Sequence, residues 1–155
     1  QIISGVDAVQ IFDSWANLLS EEQYVEYSLK YIKKILKKLS EDPVTNKTPT
    51  IVFARDPKCS LNEFKLDDLS CYGMFTSINP NNAISVFEGS HALQGNLDPK
   101  ILLEEDSVIK ESVSRILSDF KDYPGYIFNL GHGITPDINP DKVKVLVEAI
   151  RDSGS

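Results

Sequence analysis

His132 has the clearest potential for chemistry, because it follows an apolar run and has a glycine on each side (YIFNLGHG, residues 126–133). Gly131 and Gly133 allow a positive φ or a close approach of two backbone segments, so the imidazole can project from a tight turn beside a ligand. A histidine in such a turn can equally serve only to hydrogen-bond a loop. The residues alone leave both interpretations open.

Ser14 is the second candidate. It lies in FDSW (residues 12–15), which lacks the G-x-S-x-G elbow of a nucleophilic serine, so a ligand-binding hydroxyl and a helix-cap or loop serine both fit. Asp13 and Asp56 could pair as acid and base, but their spacing does not favour this over solvated loop carboxylates. Trp15 is predicted to belong to the core.

The remaining polar motifs indicate no further site. Cys59 and Cys71 have neither C-x-x-C spacing nor a nearby histidine pair, which is typical of reduced thiols in the cytoplasm and not of a metal site or a disulfide. QGNLDP (residues 94–99) lacks the glycine spacing of a phosphate loop and is interpreted as a structural turn. The lysines at 33–34 and 37–38 are predicted to form a solvated helix face.

Strand-like and helix-like runs alternate about five times along the chain. Strands are predicted in GVDAVQIFD, TPTIVFAR, CYGMF, HALQGNLDP and GYIFNL. Helices are predicted in residues 19–39, where Ser20 and Gln23 form a capping box, in residues 107–120, and after Asn139 and Pro140. A short helix is expected to end at residues 67–69. This α/β alternation predicts a parallel sheet.

Two architectures fit a parallel sheet of five strands: a doubly wound open sheet, or a portion of a (β/α)8 barrel. A complete barrel needs about 250 residues, so a chain of 155 residues could supply only part of one. In both architectures functional residues collect where strands end. We therefore expect one site there, with the candidates Asp13, Ser14, Arg55, Asp56, Gln94, Asn96, Asn129 and His132.

Composition excludes some partners. The net charge of −7 argues against nucleic acid and against anionic membranes, and no apolar run is long enough to span a bilayer. The hydrophobic content of 41% and charged content of 25% are typical of a globular domain.

Three blocks of the sequence together resemble the uroporphyrinogen decarboxylase family. They are AVQIFDSWANLLS, ALQGNLDP and YIFNLGHGITPDINPDKVKVLVEAI, they occur in the order of the family, and IVFAR also fits. The resemblance is to the C-terminal half only and covers nearly the whole chain. It implies that residues 1–155 are the C-terminal part of a single (β/α)8 barrel whose N-terminal half is absent from this sequence, and that the chain starts within a longer protein.

The resemblance also implies an activity. Members of the family act in the cytoplasm as homodimers, without a cofactor or a metal. They remove the four acetate carboxyl groups of uroporphyrinogen to give coproporphyrinogen in tetrapyrrole (haem) biosynthesis. By resemblance, Ser14 and His132 contact the substrate and Phe12 lies near the macrocycle. The family's catalytic aspartate and arginines belong to the N-terminal half, so no catalytic residue is expected in this chain, and the chain alone is expected to be inactive.

The arginine count agrees with that expectation, because a substrate with many carboxylates needs a positively charged cleft. The chain has only Arg55, Arg115 and Arg151, and only Arg55 lies at a predicted strand end.

One region departs from the family. Where the family has Gly-Leu-Asp-Trp, this chain has Met74, Phe75 and Thr76 within YGMFTSINP, and residues 56–91 match poorly, so no site residue is assigned there.

Three other functions are alternatives. A zinc-dependent methyltransferase acting on corrinoid or coenzyme M is a relative of the family, but the thiolates it needs are missing at the corresponding positions. A half-barrel that serves assembly or regulation without catalysis fits the missing arginines and aspartate. A doubly wound nucleotide-binding domain lacks its glycine-rich loop.

Overall fold

The computed structural model describes residues 1–153. Its centre is a five-stranded, entirely parallel sheet formed by β1 (Val9–Asp13), β2 (Thr50–Ala54), β3 (Cys71–Gly73), β4 (Ala92–Leu97) and β5 (Tyr126–Leu130). Each strand falls within a predicted run, although β3 is shorter than CYGMF suggests. The predicted parallel sheet is therefore confirmed.

The order of the strands decides between the two predicted architectures. The strands lie side by side as β1-β2-β3-β4-β5, in the order of the chain. A doubly wound sheet reverses its order at a switch point and carries helices on both faces, whereas consecutive order is the arrangement of a (β/α)8 barrel. The chain is thus a portion of such a barrel.

The first helical segment is capped as predicted but is not uniform. It consists of α1 (Glu21–Tyr24), a π-helical turn (Val25–Leu29) and α2 (Lys30–Glu41). The Ser20 hydroxyl accepts from the backbone N–H of Gln23, and the Gln23 side chain accepts from the N–H of Ser20. The π turn was not predicted. It matters because it carries Ser28, whose hydroxyl donates to the Asp13 carboxylate at the end of β1.

The region between β2 and β4 is where the sequence-based assignment was wrong. The short helix expected to end at residues 67–69 is instead a 3-10 turn, Leu61–Phe64, with Ser60 as its N-cap. An unpredicted helix, α3 (Pro80–Phe87), follows β3; the Asn79 side chain accepts from the N–H of Asn82, and Pro80 occupies the first turn. Asparagine followed by proline is a helix-start signal, so α3 was recognisable from the sequence.

The last two helices match their predictions. Asp98 caps the 3-10 turn Pro99–Leu103 by accepting from the N–H of Lys100, and α4 (Asp106–Asp119) and α5 (Pro140–Ser153) follow. Residues 94–97 lie in β4, so the interpretation of QGNLDP as a turn is wrong for its first four residues. None of the helices within residues 1–153 is both long and apolar enough to cross a bilayer.

The helices bury one face of the sheet and leave the other open. Val52, Tyr72 and Leu93 pack against α1, α2 and α3, and Leu97 packs against α4 and α5. Because side chains alternate along a strand, the residues between them face the opposite side. The core does not include Trp15, which is 70% exposed, so that prediction is wrong. The thiols of Cys59 and Cys71 are free.

Candidate functional site

A groove of about 540 Å³ lies on the open face, where the strands end. All three residues predicted to bind a ligand, Phe12, Ser14 and His132, line it. The structure therefore brings together positions that lie up to 120 residues apart in the sequence. Its lining residues are Gln10, Phe12, Ser14, Phe53, Arg55, Gly73, Met74, Gln94, Asn129, Leu130, His132, Gly133, Ile134 and Thr135.

Of the other strand-end candidates, Arg55, Gln94 and Asn129 also line the groove, whereas Asp13, Asp56 and Asn96 do not. Asp13 accepts from Ser28 on the helix side. Asp56 accepts from the Lys58 ammonium and the Ser77 hydroxyl, and these two bonds hold its pKa below the ordinary value. Neither aspartate faces the groove, so the two do not form an acid–base pair there.

Asn96 has a structural role. Its amide donates to the carbonyl oxygens of Phe75 at 2.9 Å and Ile78 at 2.7 Å, and it is buried. It thereby fixes the loop between β3 and α3 against the end of β4. The residue stabilises one wall of the groove without contributing a side chain to it.

His132 is held on two sides. Its Nδ1 lies 2.9 Å from the carbonyl oxygen of Gly133, and its ring stacks on Phe75 with 5.7 Å between centroids and 27° between planes. No hydrogen-bond partner of Nε2 is found among residues 1–153. The imidazole therefore has one nitrogen engaged by the protein and one available to a ligand in the groove.

The two glycines beside His132 differ. A Cβ on Gly131 would lie 2.5 Å from Thr76 Cγ2 and 2.6 Å from the Thr76 backbone nitrogen, so only glycine permits this close approach. Gly133 does not have a positive φ, and a Cβ added to it would meet no atom within 4 Å. The expectation of a special backbone at Gly133 is therefore wrong.

Four rings form a row across the open face of the sheet. The ring centroids of Phe12 and Phe53 are 6.0 Å apart, and those of Phe53 and Phe75 are 6.5 Å apart. The Phe75 ring in turn stacks on the His132 ring. Phe53 and Phe75 were not predicted as site residues. The signal for Phe53 was available, because it is the register partner of Phe12 on the neighbouring strand. Phe75 lies in a loop, where no periodicity could have revealed it.

The charge of the groove is opposite to that of the chain. Although the net charge is −7, none of the groove's lining residues is an aspartate or a glutamate, and Arg55 is its one permanent cation. The Arg55 side chain is exposed, and the ion pairs found in residues 1–153 do not include it. A guanidinium, a hydroxyl and an imidazole around apolar rings form a site that suits an anionic group on a flat, apolar body.

The structure offers no metal centre in its described part. Within residues 1–153 no group of three or more His, Cys, Asp or Glu side chains is placed to hold a metal ion.

The strand order, the helices on one face and the groove at the strand ends define a portion of a (β/α)8-barrel protein with its site at the carboxyl ends of the strands. A sequence model of the family described as uroporphyrinogen decarboxylase (URO-D) matches residues 1–153. The chain belongs to this family.

Curated relatives carry the same description. The uroporphyrinogen decarboxylase of Alcanivorax borkumensis is 42% identical over 150 residues, which is 97% of this chain and 42% of the relative. That of Pelodictyon phaeoclathratiforme is 39% identical over 158 residues, which is 100% of this chain and 44% of the relative. The chain thus spans less than half the length of these relatives.

Among solved structures, a methyltransferase from Methanosarcina mazei superposes with a TM-score of 0.75 at 18% identity, over 99% of this chain and 44% of the other. At this identity the likeness shows the fold alone.

Proposed function

We propose that this chain is the C-terminal portion of a barrel that decarboxylates uroporphyrinogen, removing its four acetate carboxyl groups to give coproporphyrinogen in tetrapyrrole biosynthesis. The observation that carries the proposal is the groove: it is lined by an arginine, by no carboxylate and by the rings of Phe12, Phe53 and His132, in a chain that is otherwise acidic. A macrocycle with carboxylate arms matches that combination, and membership of the family supports it.

For each acetate, the reaction needs three proton transfers and the loss of carbon dioxide. Protonation of a pyrrole carbon turns the ring into an electron sink. The bond between the acetate carboxyl carbon and its methylene then breaks, carbon dioxide leaves, and the electron pair flows into the ring. Protonation of the methylene carbon, together with loss of the proton first added to the ring carbon, gives a methyl group and restores the pyrrole, so that each acetate takes up one proton overall. The protein accelerates this by holding charged groups where positive charge develops on the pyrrole.

This half of the barrel has the task of positioning the substrate. Ser14 and Arg55 donate to carboxylate arms, Phe12 and Phe53 contact the macrocycle, and His132 offers Nε2 to a side chain or a ring N–H. The groups that stabilise the charged pyrrole are proposed to lie in the N-terminal half, which closes the barrel against β1 and β5. No cofactor and no metal takes part in the proposed reaction.

The oligomeric state and the cellular compartment of the enzyme are proposed on two further grounds. The resemblance to the family supports a homodimer of complete barrels. The free thiols of Cys59 and Cys71 support a reducing compartment, the cytoplasm.

A chimeric barrel tests the proposal. Residues 1–153 replace the matching segment of the Alcanivorax borkumensis relative, and the purified protein is incubated anaerobically with uroporphyrinogen. Chromatography of the oxidised porphyrins should show intermediates with fewer carboxyl groups and then coproporphyrin.

The unmodified relative is the positive control, and a chimera carrying Ser14→Ala and Arg55→Gln together is the matched negative control. A folded chimera, verified by circular dichroism and gel filtration, that leaves uroporphyrinogen unchanged would refute the proposal. It would favour a half-barrel used in assembly or regulation.

A further inference from the structure

We infer that Phe75 is a positioning residue for His132: its ring holds the imidazole in one orientation and one tautomer, with Nε2 directed to the groove. Phe75 lies within residues 56–91, where the sequence analysis assigns no site residue. The inference rests on the contacts of the β3–α3 loop with the turn at His132, which are independent of any substrate.

The stacking contact is the first support. The rings of Phe75 and His132 are 5.7 Å apart at their centroids and 27° from parallel, which is an offset stack. Phe75 is itself half-buried and packs at 6.5 Å on Phe53, so its ring is braced by the sheet. A braced ring restricts rotation of the imidazole about its Cβ–Cγ bond.

The backbone supplies the second support. Gly131 lies so close to Thr76, the residue that follows Phe75, that a Cβ on Gly131 would overlap it. The N–H of Gly131 also donates to the Leu97 carbonyl at 2.8 Å. Asn96 donates to the Phe75 carbonyl from the same strand end. The loop and the turn are therefore interlocked, and their relative position does not depend on the Phe75 side chain.

The hydrogen bond at Nδ1 fixes the tautomer. The Gly133 carbonyl oxygen, 2.9 Å away, can only accept, so Nδ1 carries the hydrogen. In the neutral ring Nε2 is then an acceptor, suited to an N–H group of a ligand, and it donates to a carboxylate only when the ring is protonated. The stack with Phe75 keeps the ring in the plane where this bond can form.

The other histidine of the chain provides an internal comparison for the tautomer of His132. His91 is the only other histidine. Its Nε2 lies 2.8 Å from the Leu66 carbonyl, so this ring must carry its hydrogen on Nε2, and its Nδ1 lies 2.8 Å from the Ser90 hydroxyl. The two histidines are therefore expected in opposite tautomers.

Nitrogen NMR of the 155-residue chain labelled with ¹⁵N-histidine tests the inference. In alkaline buffer, long-range ¹H–¹⁵N spectra identify the protonated nitrogen of each ring, and His132→Asn assigns the signals. We expect His132 with hydrogen on Nδ1 and with carbon-bound protons shifted by the ring current of Phe75. Phe75→Leu should abolish that shift and mix the two tautomers, and Phe75→Tyr should restore both features.

The signals of His91 report that each variant is folded, because they depend on the Leu66 carbonyl before β3 and on the Phe87 ring in α3. A wild-type His132 with hydrogen on Nε2 would overturn the inference. So would a Phe75→Leu chain in which the His132 signals are unchanged while those of His91 are native.

A kinetic measurement extends the inference to catalysis, and this part rests on the proposed function. In the chimeric barrel, Phe75→Leu should raise KM for uroporphyrinogen about tenfold and change kcat little, because a displaced imidazole weakens binding. Phe75→Tyr should restore KM, and equal KM values in Phe75→Leu and wild type would contradict a role in binding. An inactive wild-type chimera would count against the proposed function, and the NMR result alone would then decide the role of Phe75.

Discussion

At the scale of single residues, Arg55 is where the proposed binding of a carboxylate can be tested most directly. It is exposed in a groove without acidic side chains. A hydrogen bond between two charged groups contributes about 1.5–3 kcal/mol, so Arg55→Gln should raise KM for uroporphyrinogen at least tenfold in the chimeric barrel.

Arg115→Gln is the matched control, because Arg115 lies on α4 and contacts Ser112 at 3.3 Å outside the groove. Equal KM values in the Arg55→Gln and Arg115→Gln proteins would remove Arg55 from the site.

His132→Asn separates a binding role from a proton-transfer role. Asparagine keeps a polar side chain of similar reach but cannot exchange a proton at neutral pH. If His132 only positions the substrate, kcat/KM should fall about tenfold, the loss of one hydrogen bond. Complete loss of decarboxylation in a folded protein would instead make His132 the proton donor.

The residue scale also shows what the sequence could reveal about the site. Phe12, Ser14 and His132 were predicted from strand ends and from blocks that resemble the family, and all three line the groove. Phe75 was missed for a physical reason. Its role depends on a contact between two loops that are far apart in the chain, and neither loop has a periodic pattern.

At the scale of secondary-structure elements, the turn after β5 depends on one glycine. Gly131→Ala places a Cβ within 2.6 Å of the Thr76 backbone nitrogen, whereas Gly133→Ala meets nothing within 4 Å. Overpacking of this kind lowers the free energy of unfolding by about 1–3 kcal/mol. The urea concentration at the unfolding midpoint should therefore be lower for Gly131→Ala than for the wild type, and nearly unchanged for Gly133→Ala. Equal midpoints would mean that loop and turn are not interlocked.

The start of β3 carries a titratable group whose burial makes stability depend on pH. Cys71 is 3% exposed, and burial raises the pKa of its thiol from 9.0 to about 11. Between these values the unfolded chain has lost the thiol proton and the folded chain has kept it, so the free energy of unfolding falls as pH rises. A shift of this size corresponds to at most about 2–3 kcal/mol.

Chemical denaturation between about pH 8 and pH 11 should therefore show a steeper loss of stability for the wild type than for Cys71→Ala. Because buried tyrosines also titrate in alkaline solution, the difference between the two proteins is the quantity that tests Cys71. Parallel curves would contradict the assignment.

Helices could be predicted from the sequence where a capping motif and the spacing of apolar residues matched the side chains that the fold buries. The capping box of Ser20 and Gln23 placed the start of the first helix correctly, and the apolar side chains Leu29, Ile32 and Leu36 are buried on one face of that helix. The π turn within it was not predictable, since it is one extra residue in a helical period and is marked by no residue type. The α3 helix has a start signal in Asn79 and Pro80, but at 8 residues it is too short for a clear periodicity to accompany that signal.

At the scale of the whole molecule, the five strands leave two edges unpaired. Within residues 1–153, β1 and β5 each have a neighbouring strand on one side only. Several apolar side chains near β1 and on its following helix are exposed, among them Ile3 at 89% and Tyr27 at 68%. Unpaired edges and exposed apolar surface are what a further set of βα units would cover. The length of the relatives supports this completion of the barrel.

The orientation of the β1 backbone shows how completion can be tested. The N–H of Val9 donates to Pro49 beside β2, and the Asp13 carbonyl accepts from Arg55. Successive residues of a strand point their backbone groups to opposite sides, so Gln10 directs its N–H away from β2, to the open edge. Gln10→Pro removes that donor without breaking a bond of the existing sheet.

We therefore expect a separately produced N-terminal segment of the Alcanivorax borkumensis relative to bind the 155-residue chain as a one-to-one complex, measured by light scattering after gel filtration. Gln10→Pro should weaken that complex at least tenfold, because an edge strand pairs through its backbone. The exposed Val147→Ala on α5, away from the β1 edge, is the control and should bind as the wild type does. Equal binding by the Gln10→Pro and wild-type chains would show that the β1 edge is not where the barrel closes.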